Sequence, residues 1–221
     1  MAPMQFAGHR LRGLTVIGRS VLGKPILEAS FGSGRRRVLL VAGVHGNEFG
    51  SRVAGLFVTY LEHHPRALPK GIRVDVVPCA NPDGTALGTR DNAHGVDINR
   101  NFPSADWAVA RYHVRADGPG AGSEPETRAL VGLLRFGYAR VISLHSSGAI
   151  VDYDGPRSLA IAVRAARAMG YSVGHLPYEK TITGSLGRYV GERYAVPVIT
   201  IELSGRRLSG RVIGGLEAAI R

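Results

Sequence analysis

The sequence predicts an α/β fold, in which a mostly parallel or mixed sheet carries helices on both faces. The first observation is that β-prone segments alternate with segments of helical apolar spacing along the 221 residues. The second is an ordinary globular composition, with 44% apolar and 20% charged residues. The third is the absence of repeats, heptads and low-complexity tracts. We therefore expect a single domain over residues 1–221, with residues 1–12 as a flexible N-terminal tail.

The first elements lie before residue 85. Residues 26–31 and 37–42 are β-prone and are joined by a Gly-Ser-Gly segment, which predicts a hairpin. Residues 47–62 have helical apolar spacing, with Asn47 as a candidate cap. A third strand is predicted over residues 72–77, followed by a turn at the sequence NPDG, residues 81–84.

The later elements follow a long irregular segment. Residues 103–125 are rich in proline, glycine and mixed charge, which predicts a loop that forms part of a cleft wall. Ser123 is a candidate cap for a helix that runs to about residue 135. The remaining predicted elements are strands at 141–144 and 198–203 and helices at 158–169 and 212–220.

The net charge of +11 comes mainly from scattered arginines. Because they form no nucleic-acid motif and are not interleaved with aromatic residues, a solvated basic surface is favoured, and we expect neither a nucleic-acid nor a membrane partner. No apolar stretch approaches the ~20 residues that span a bilayer, and the first dozen residues lack the apolar segment of a secretory signal, so a cytoplasmic location is predicted. Cys79 is the single cysteine and is interpreted as a buried thiol.

Three residues at predicted strand ends are candidate metal ligands. His45 and Glu48 are three residues apart across a strand-to-helix turn, and His145 closes the strand at 141–144. Two histidines and one carboxylate are a common catalytic zinc set that leaves one position for water. The alternatives are a packed histidine and a glutamate favoured by a helix N-terminus. His94 is the main competing histidine, and weaker candidates by context are His9, His63, His64, His113 and His175.

Glu202 and a group of polar residues are candidates for the chemistry beside the metal. A glutamate within an apolar strand is costly unless it is paired or faces a cleft, which suggests a general base, with an arginine ion pair as the alternative. Arg90 can stabilise a developing oxyanion, and Asn99 with Arg100 can bind a carboxylate. For each arginine, an ordinary surface position is the alternative.

Five segments in this order resemble the zinc carboxypeptidase family, also called funnelins. The resemblance extends from about residue 18 to residue 204, nearly the whole chain. Its motifs are residues 43–48 (GVHGNE), 81–84 (NPDG), 95–103 (GVDINRNFP), 143–145 (SLH) and 199–202 (ITIE). The fold that this resemblance implies is a three-layer α/β/α sandwich around a twisted mixed sheet.

The resemblance also implies roles for the candidate residues. One zinc ion would be held by His45, Glu48 and His145, and Glu202 would be the general base and acid. Arg90 would polarise the scissile carbonyl, and Asn99 with Arg100 would hold the free carboxylate of the substrate. Family members often have a mobile tyrosine before the base, for which Tyr178 is the candidate and Tyr189 an alternative.

Within the family, residues 18–26, 122–127 and 184–187 are similar to the bacterial murein peptide amidase A group. This similarity implies a zinc-dependent amidase that cleaves the bond between γ-D-glutamate and meso-diaminopimelate in cell-wall recycling, with a small anionic peptide as substrate. The HGNE form of the first motif instead resembles succinylglutamate desuccinylase and aspartoacylase, which keeps an N-acyl amino-acid deacylase as the alternative. A non-catalytic wall-peptide or nucleic-acid binder is a further alternative, motivated by the charge.

Overall fold

The structure is a computed structural model that describes residues 5–6, 9–10, 13–107, 117–146, 148–176 and 183–221. Its strands are β1 (Gln5–Phe6), β2 (His9–Arg10), β3 (Leu14–Arg19), β4 (Pro25–Phe31), β5 (Arg36–Ala42), β6 (Ile72–Val77), β7 (Arg140–Ser146), β8 (Ile150–Asp154), β9 (Ser172–Val173) and β10 (Val198–Leu203). Its helices are α1 (Gly50–His63), α2 (Pro82–Leu87), α3 (Pro125–Leu134), α4 (Ser158–Met169), α5 (Leu186–Tyr194) and α6 (Gly210–Ile220), with a 3-10 turn at Ile98–Arg100.

Eight strands form one mixed sheet in the order β3-β4-β6-β5-β7-β10-β8-β9. The four central strands β6, β5, β7 and β10 are parallel to one another, whereas β4 and β8 join them antiparallel on either side. The predicted mixed sheet with helices is therefore confirmed. Because the central strands run in one direction, their carboxyl ends lie along one edge, where α/β sheets bind ligands.

Alternate residues of each central strand enter two separate cores. Val38, Leu40 and Ala42 of β5 pack in the core beneath α1, α4 and α6. Leu39 and Val41 of the same strand pack in the core beneath α3 and α5. The period of two along the strand thus places helices on both faces, which explains why these strands read as continuous apolar runs.

The predicted hairpin between residues 26–31 and 37–42 is wrong. Both segments are strands, but β6 lies between them and pairs with each. Gly32 and Gly34 instead cross the start of β6, where a Cβ atom on either residue would collide with the backbone of Gly71 or Ile72. The glycines are needed for this close backbone approach rather than for a tight hairpin turn.

The remaining differences concern helix ends and short elements. The helix α1 begins at Gly50 after Phe49, so Asn47 does not cap it. The predicted turn at 81–84 opens α2, where the side chain of Asn81 accepts a hydrogen bond from Gly84 N. The helix α3 is preceded by Glu124 rather than capped by Ser123. The sequence reading missed β3, β8, β9 and α5, which are short or carry polar residues.

Two predictions fall partly on residues that the structure does not describe. In the predicted tail, only the antiparallel pair of β1 and β2 is described. In the predicted loop at 103–125, residues 108–116 lie outside the described residues. Among the described helices, none combines the length and apolar character that crossing a membrane requires.

Candidate metal centre

The candidate residues meet at the carboxyl ends of three neighbouring strands. His45 follows β5 in the turn before α1, whereas His145 lies in β7 and Glu202 in β10. His145 and Glu202 are direct cross-strand partners in the parallel pair. The strand order therefore brings together residues that are separated by more than 150 positions in the chain.

His45, Glu48 and His145 converge with their potential ligand atoms facing one another. The Nδ1 atom of His45 lies 2.6 Å from Glu48 Oε1 and 3.1 Å from His145 Nδ1. The His145 Nδ1 atom lies 3.2 Å from Glu48 Oε2. Ligand atoms around a tetrahedral zinc ion are about 3.3 Å apart, given bond lengths of roughly 2.0–2.2 Å. The donor types and their spacing therefore fit a zinc ion, and these three residues form a potential metal-binding group within the described chain.

The second ring nitrogen of His45 is held by Asp97. Its Nε2 atom lies 3.1 Å from Asp97 Oδ1, and the same carboxylate accepts hydrogen bonds from Asn99 N at 2.9 Å and Arg90 Nε at 3.0 Å. A metal-bound histidine commonly donates its other N–H to a carboxylate in this way. With the proton on Nε2, the lone pair of Nδ1 faces the other candidate ligands. The sequence reading did not single out Asp97, although it lies in the segment 95–103.

Charge and burial keep Glu48 and His145 in their ligating forms, whereas the carboxylates of Asp97 and Glu48 outweigh burial and raise the pKa of His45. Burial acts to raise the pKa of Glu48, but hydrogen bonds from His145 and His45 outweigh it and lower the value to about 2. Burial lowers the pKa of His145, which favours the neutral imidazole. A neutral imidazole and an ionised carboxylate are the forms that bind a metal.

The turn that carries His45 is supported by the segment at 81–91. Gly46 N donates to Arg90 O at 3.2 Å, and the side-chain amide of Asn81 donates to the carbonyl oxygens of Val44 and Arg90. A Cβ atom on Gly46 would collide with the backbone of Gly84. The motifs at 43–48 and 81–84 therefore form one packed unit that positions His45.

Glu202 borders the same cleft and lies close to the metal centre. Burial, followed by the negative charge of Glu48, raises its pKa to about 7. The neighbouring Gly148 leaves room for its side chain, because a Cβ atom there would approach Glu202 Cβ to 2.6 Å. A carboxylate with a pKa near neutrality is suited to exchange protons in both directions.

The predicted substrate-binding residues lie in the same cleft. Arg90 places Nη1 3.7 Å from Glu48 Oε1 and Nη2 3.0 Å from Asp97 Oδ2, while its side chain remains 44% exposed. Asn99 and Arg100 line the cleft. The Oδ1 atom of Asn99 accepts a hydrogen bond from Leu186 N at 2.9 Å, so its amide NH₂ is directed away from α5.

Among the residues that the structure describes, the competing candidates do not join this group. The His94 ring lies 2.7 Å from Glu124 Oε2, away from the metal centre. Tyr189 is buried and stacks on Phe102 with ring centroids 5.9 Å apart. Tyr178 lies outside the described residues. Residues of the cleft that the sequence reading missed are Ser143, Asp152, Asp154, Ser185, Arg188 and Thr200.

Comparisons with known proteins identify the family of the chain. The family model for zinc carboxypeptidases matches residues 8–159. The chain is 35% identical over 205 residues to murein peptide amidase A of Vibrio campbellii, covering 86% of this chain and 78% of that protein. It is 40% identical over 150 residues to murein peptide amidase A of Escherichia coli K12, covering 61% of this chain and 60% of that protein. The match therefore spans less than two thirds of the E. coli relative.

Solved structures show the same fold. The murein-tripeptide amidase from E. coli O157 superposes with a TM-score of 0.73 at 30% identity, covering 98% of this chain and 96% of that chain. Bovine thrombin-activatable fibrinolysis inhibitor in its complex with tick carboxypeptidase inhibitor gives a TM-score of 0.75 at 19% identity, covering 94% and 86%. The second similarity concerns the fold alone.

Proposed function

Because the chain belongs to the zinc carboxypeptidase family, we propose that it is a zinc-dependent amidase that cleaves the γ-D-glutamyl–meso-diaminopimelate bond of murein peptides. The observation that carries the proposal is the convergence of two histidine Nδ1 atoms and the Glu48 carboxylate beside Glu202 in one cleft. Similarity to two proteins named murein peptide amidase A supports the substrate. Participation in cell-wall recycling in the cytoplasm is part of the same proposal.

We propose that His45, Glu48 and His145 hold one zinc ion. The 3.1 Å approach of the two Nδ1 atoms supports this, because each would direct a lone pair at the other unless a proton or a cation lies between them. A bound zinc ion would supply Lewis acidity and lower the pKa of the attacking water.

Glu202 is the proposed general base and acid. Its carboxylate removes a proton from the water that attacks the amide carbon, and a C–O bond forms. It then delivers that proton to the leaving nitrogen as the C–N bond breaks. The pKa of about 7 favours both transfers, and Glu202 ends each cycle ionised.

Arg90, Asn99 and Arg100 are proposed to orient the substrate and stabilise charge. The guanidinium of Arg90 lies beside Glu48 and can stabilise the negative oxygen that develops on the attacked carbonyl. Asn99 and Arg100 bind the free carboxylate of the leaving residue, which places the cut at the preceding amide bond. The proposed substrate satisfies this requirement, since its terminal diaminopimelate has a free carboxylate. Tyr178 remains a predicted substrate contact.

The test is incubation with L-Ala-γ-D-Glu-meso-diaminopimelate, with the released diaminopimelate measured by mass spectrometry. Wild-type protein should release it, and a chelator should stop the release. Glu202→Gln should abolish turnover and retain zinc, because the amide cannot accept the proton. The matched control is Glu217→Gln on α6, where the carboxylate hydrogen-bonds Tyr60 on the opposite face of the sheet.

Two outcomes would contradict the proposal. Hydrolysis that persists in Glu202→Gln would remove Glu202 from the mechanism. Hydrolysis of N-succinyl or N-acetyl amino acids, without release from the tripeptide, would identify the deacylase alternative.

A further inference from the structure

A cavity with basic walls lies at the edge of the sheet opposite the metal centre. Its volume is about 470 Å³, within the range of small-molecule sites. Arg36 begins β5 and His45 follows its other end, so roughly 20 Å of sheet separates the cavity from the metal centre. The basic residues of its wall are Arg36, Arg66, Lys70 and Arg221. Arg221 pairs with Glu217 at 3.4 Å, and the other three form no ion pair within the described ranges.

The start of β5 places two adjacent arginines on different faces of the sheet. Arg37 lies on the face beneath α3 and α5, where it binds Asp75. Arg36 lies on the opposite face with Val38, because successive residues of a strand alternate between faces. It pairs with Ile72 of β6, which also lines the cavity. The charge of Arg37 is therefore compensated by a carboxylate, whereas the charge of Arg36 faces the cavity.

Arg140 adds a buried positive charge behind this wall. It begins β7 beside Val38, so its side chain lies on the same face as Arg36, and it is only 4% exposed. Its Nη1 atom donates to Ala219 O near the end of α6, whereas its Nε atom has no hydrogen-bond partner among the residues that the structure describes. Burial, and then the charges of Arg36 and Arg164, lower its pKa to about 10. Because a buried cation without a counterion is costly, an anion bound nearby would stabilise this group.

We propose that this cavity binds the phosphate group of a small phosphorylated molecule. A phosphate monoester has about 1.5 to 2 negative charges near neutral pH, and its oxygens match the N–H fork of an arginine. Several cations around one cavity therefore favour a phosphate over a singly charged carboxylate. Leu68 and Pro69 belong to the same wall and can pack against the organic part of the ligand.

The shape of the site favours a small ligand over a macromolecular surface. A cavity can enclose a phosphate, whereas nucleic acids and membranes bind along extended basic surfaces. The proposal goes beyond the amidase activity, since its residues begin the central strands and the metal centre lies at their carboxyl ends.

The experiment measures binding of inorganic phosphate to the zinc-loaded protein by isothermal titration calorimetry, with chloride holding the ionic strength constant. We expect a Kd below about 1 mM, which a few charge-assisted hydrogen bonds can provide. Arg36→Glu should weaken binding by at least about 30-fold, because a repulsive charge replaces a guanidinium group. Its kcat/KM for the tripeptide should stay within about twofold of wild type, since Arg36 is remote from the metal centre.

Two control variants test whether the effect belongs to this cavity. Arg35→Glu changes the net charge equally at the preceding exposed residue, which does not line the cavity, so binding should weaken by less than about threefold. Arg100→Ala removes a cation from the cleft at the metal centre and should leave the Kd for phosphate unchanged. Equal losses in Arg36→Glu and Arg35→Glu, or a comparable loss in Arg100→Ala, would overturn the proposal.

Vesicles of phosphatidylglycerol distinguish a lipid headgroup from a soluble phosphate ester. We expect no cosedimentation that depends on Arg36. Vesicle binding that Arg36→Glu abolishes, or no binding of inorganic phosphate up to about 10 mM, would overturn the proposal of a small-molecule site. Neither outcome affects the amidase assignment, because hydrolysis of the tripeptide tests that assignment separately.

Discussion

Two buried charged clusters in this protein satisfy their charges in different ways. The metal cluster consists of His45, Glu48, His145 and Asp97. The Asp75 cluster, at the β4–β6–β5 side of the sheet, consists of Asp75, Arg37, Arg73 and Ser30. In the Asp75 cluster, Oδ1 accepts from Ser30 at 2.7 Å and Arg73 at 2.8 Å, and Oδ2 accepts from Arg37 at 2.6 Å. These three partners are donors, and the buried Glu28 carboxyl, whose pKa is raised by burial and by the charge of Asp75, also lies beside this carboxylate.

The metal cluster instead directs acceptors at acceptors. Its two Nδ1 atoms lie 3.1 Å apart, and the Glu48 carboxylate lies within 3.2 Å of both. Such an arrangement requires a cation or a proton between the groups. The difference teaches that a buried charged group with complementary protein partners stabilises the fold, whereas one with facing acceptors indicates a ligand site.

Removal of the metal should have the largest effect on hydrolysis. It should act on the metal cluster and leave the Asp75 cluster unchanged. We expect a chelator to reduce tripeptide hydrolysis by more than about 10³-fold, since Lewis-acid assistance contributes several kcal/mol to the reaction. It should also lower the melting temperature, because a ligand that binds the folded state stabilises it. Zinc addition should restore both values. Equal melting temperatures with and without zinc would argue against a cation in the metal cluster.

Arg90→Ala tests the electrostatic role of the cleft beside the metal cluster. We expect kcat to fall by about 10²- to 10³-fold, the usual loss when a donor to a developing oxyanion is removed. Zinc content should be retained, because Arg90 is not a candidate ligand. The control is Arg52→Ala on the exposed side of α1. An equal loss in both variants would assign the effect to net charge rather than to position.

Asp97→Asn tests how the protein orients His45. We expect zinc affinity to fall by about 10- to 100-fold, as when other carboxylate partners of metal-bound histidines are replaced. The physical reason is that the Nε2 proton loses its ionised acceptor at 3.1 Å. Competition with a chromogenic chelator measures the affinity, and Asp91→Asn in the same loop is the control. Unchanged affinity would limit Asp97 to binding Arg90 and Asn99.

The sequence predicted those parts of the fold that local patterns determine. The strands β6 and β10 and the helix α4 have the predicted bounds, because long apolar runs and helical spacing depend on few distant contacts. The hairpin prediction was wrong because the glycines at 32 and 34 serve a backbone contact with residues 71–72, which no local pattern reveals.

The candidate site likewise contains residues that local sequence patterns predict and residues that only the topology reveals. His45, His145 and Glu202 were singled out because they follow, end or interrupt apolar segments, and Glu48 because it lies three residues after His45. Asp152 was missed because its strand, β8, contains two aspartates and does not resemble a buried strand. Its polar character has a physical reason that only the topology reveals, since β8 lines the cleft beside β10.

Asp75→Asn should reduce stability without changing catalysis. Burial acts to raise the pKa of Asp75, but hydrogen bonds from Arg73, Arg37 and Ser30 hold it below its usual value. We expect a loss of roughly 1–3 kcal/mol near pH 7, because a mostly buried charge-assisted network is broken. Since the folded pKa is lowered, this contribution is present above about pH 4 and is lost as the pH falls through the folded value.

Urea unfolding of wild type and Asp75→Asn at several pH values measures this contribution. The difference between the two should shrink as the pH falls below about 4. The kcat of the variant should stay near that of wild type, in contrast to changes in the metal cluster. A large loss of kcat with full zinc content would mean that the two clusters are coupled.

Arg73→Ala should have the smallest effect, because Asp75 retains its other partners. The Arg73 side chain is 39% exposed, whereas that of Arg37 is 21% exposed and also contacts Tyr138. Half-exposed ion pairs contribute little, so we expect the free energy of unfolding to fall by less than about 1 kcal/mol, and by more in Arg37→Ala. Urea unfolding of both variants tests this order. A larger loss of unfolding free energy in Arg73→Ala than in Arg37→Ala would mean that Asp75 depends mainly on Arg73. Pairing of Asp75 with several donors would then no longer explain how the Asp75 cluster differs from the metal cluster.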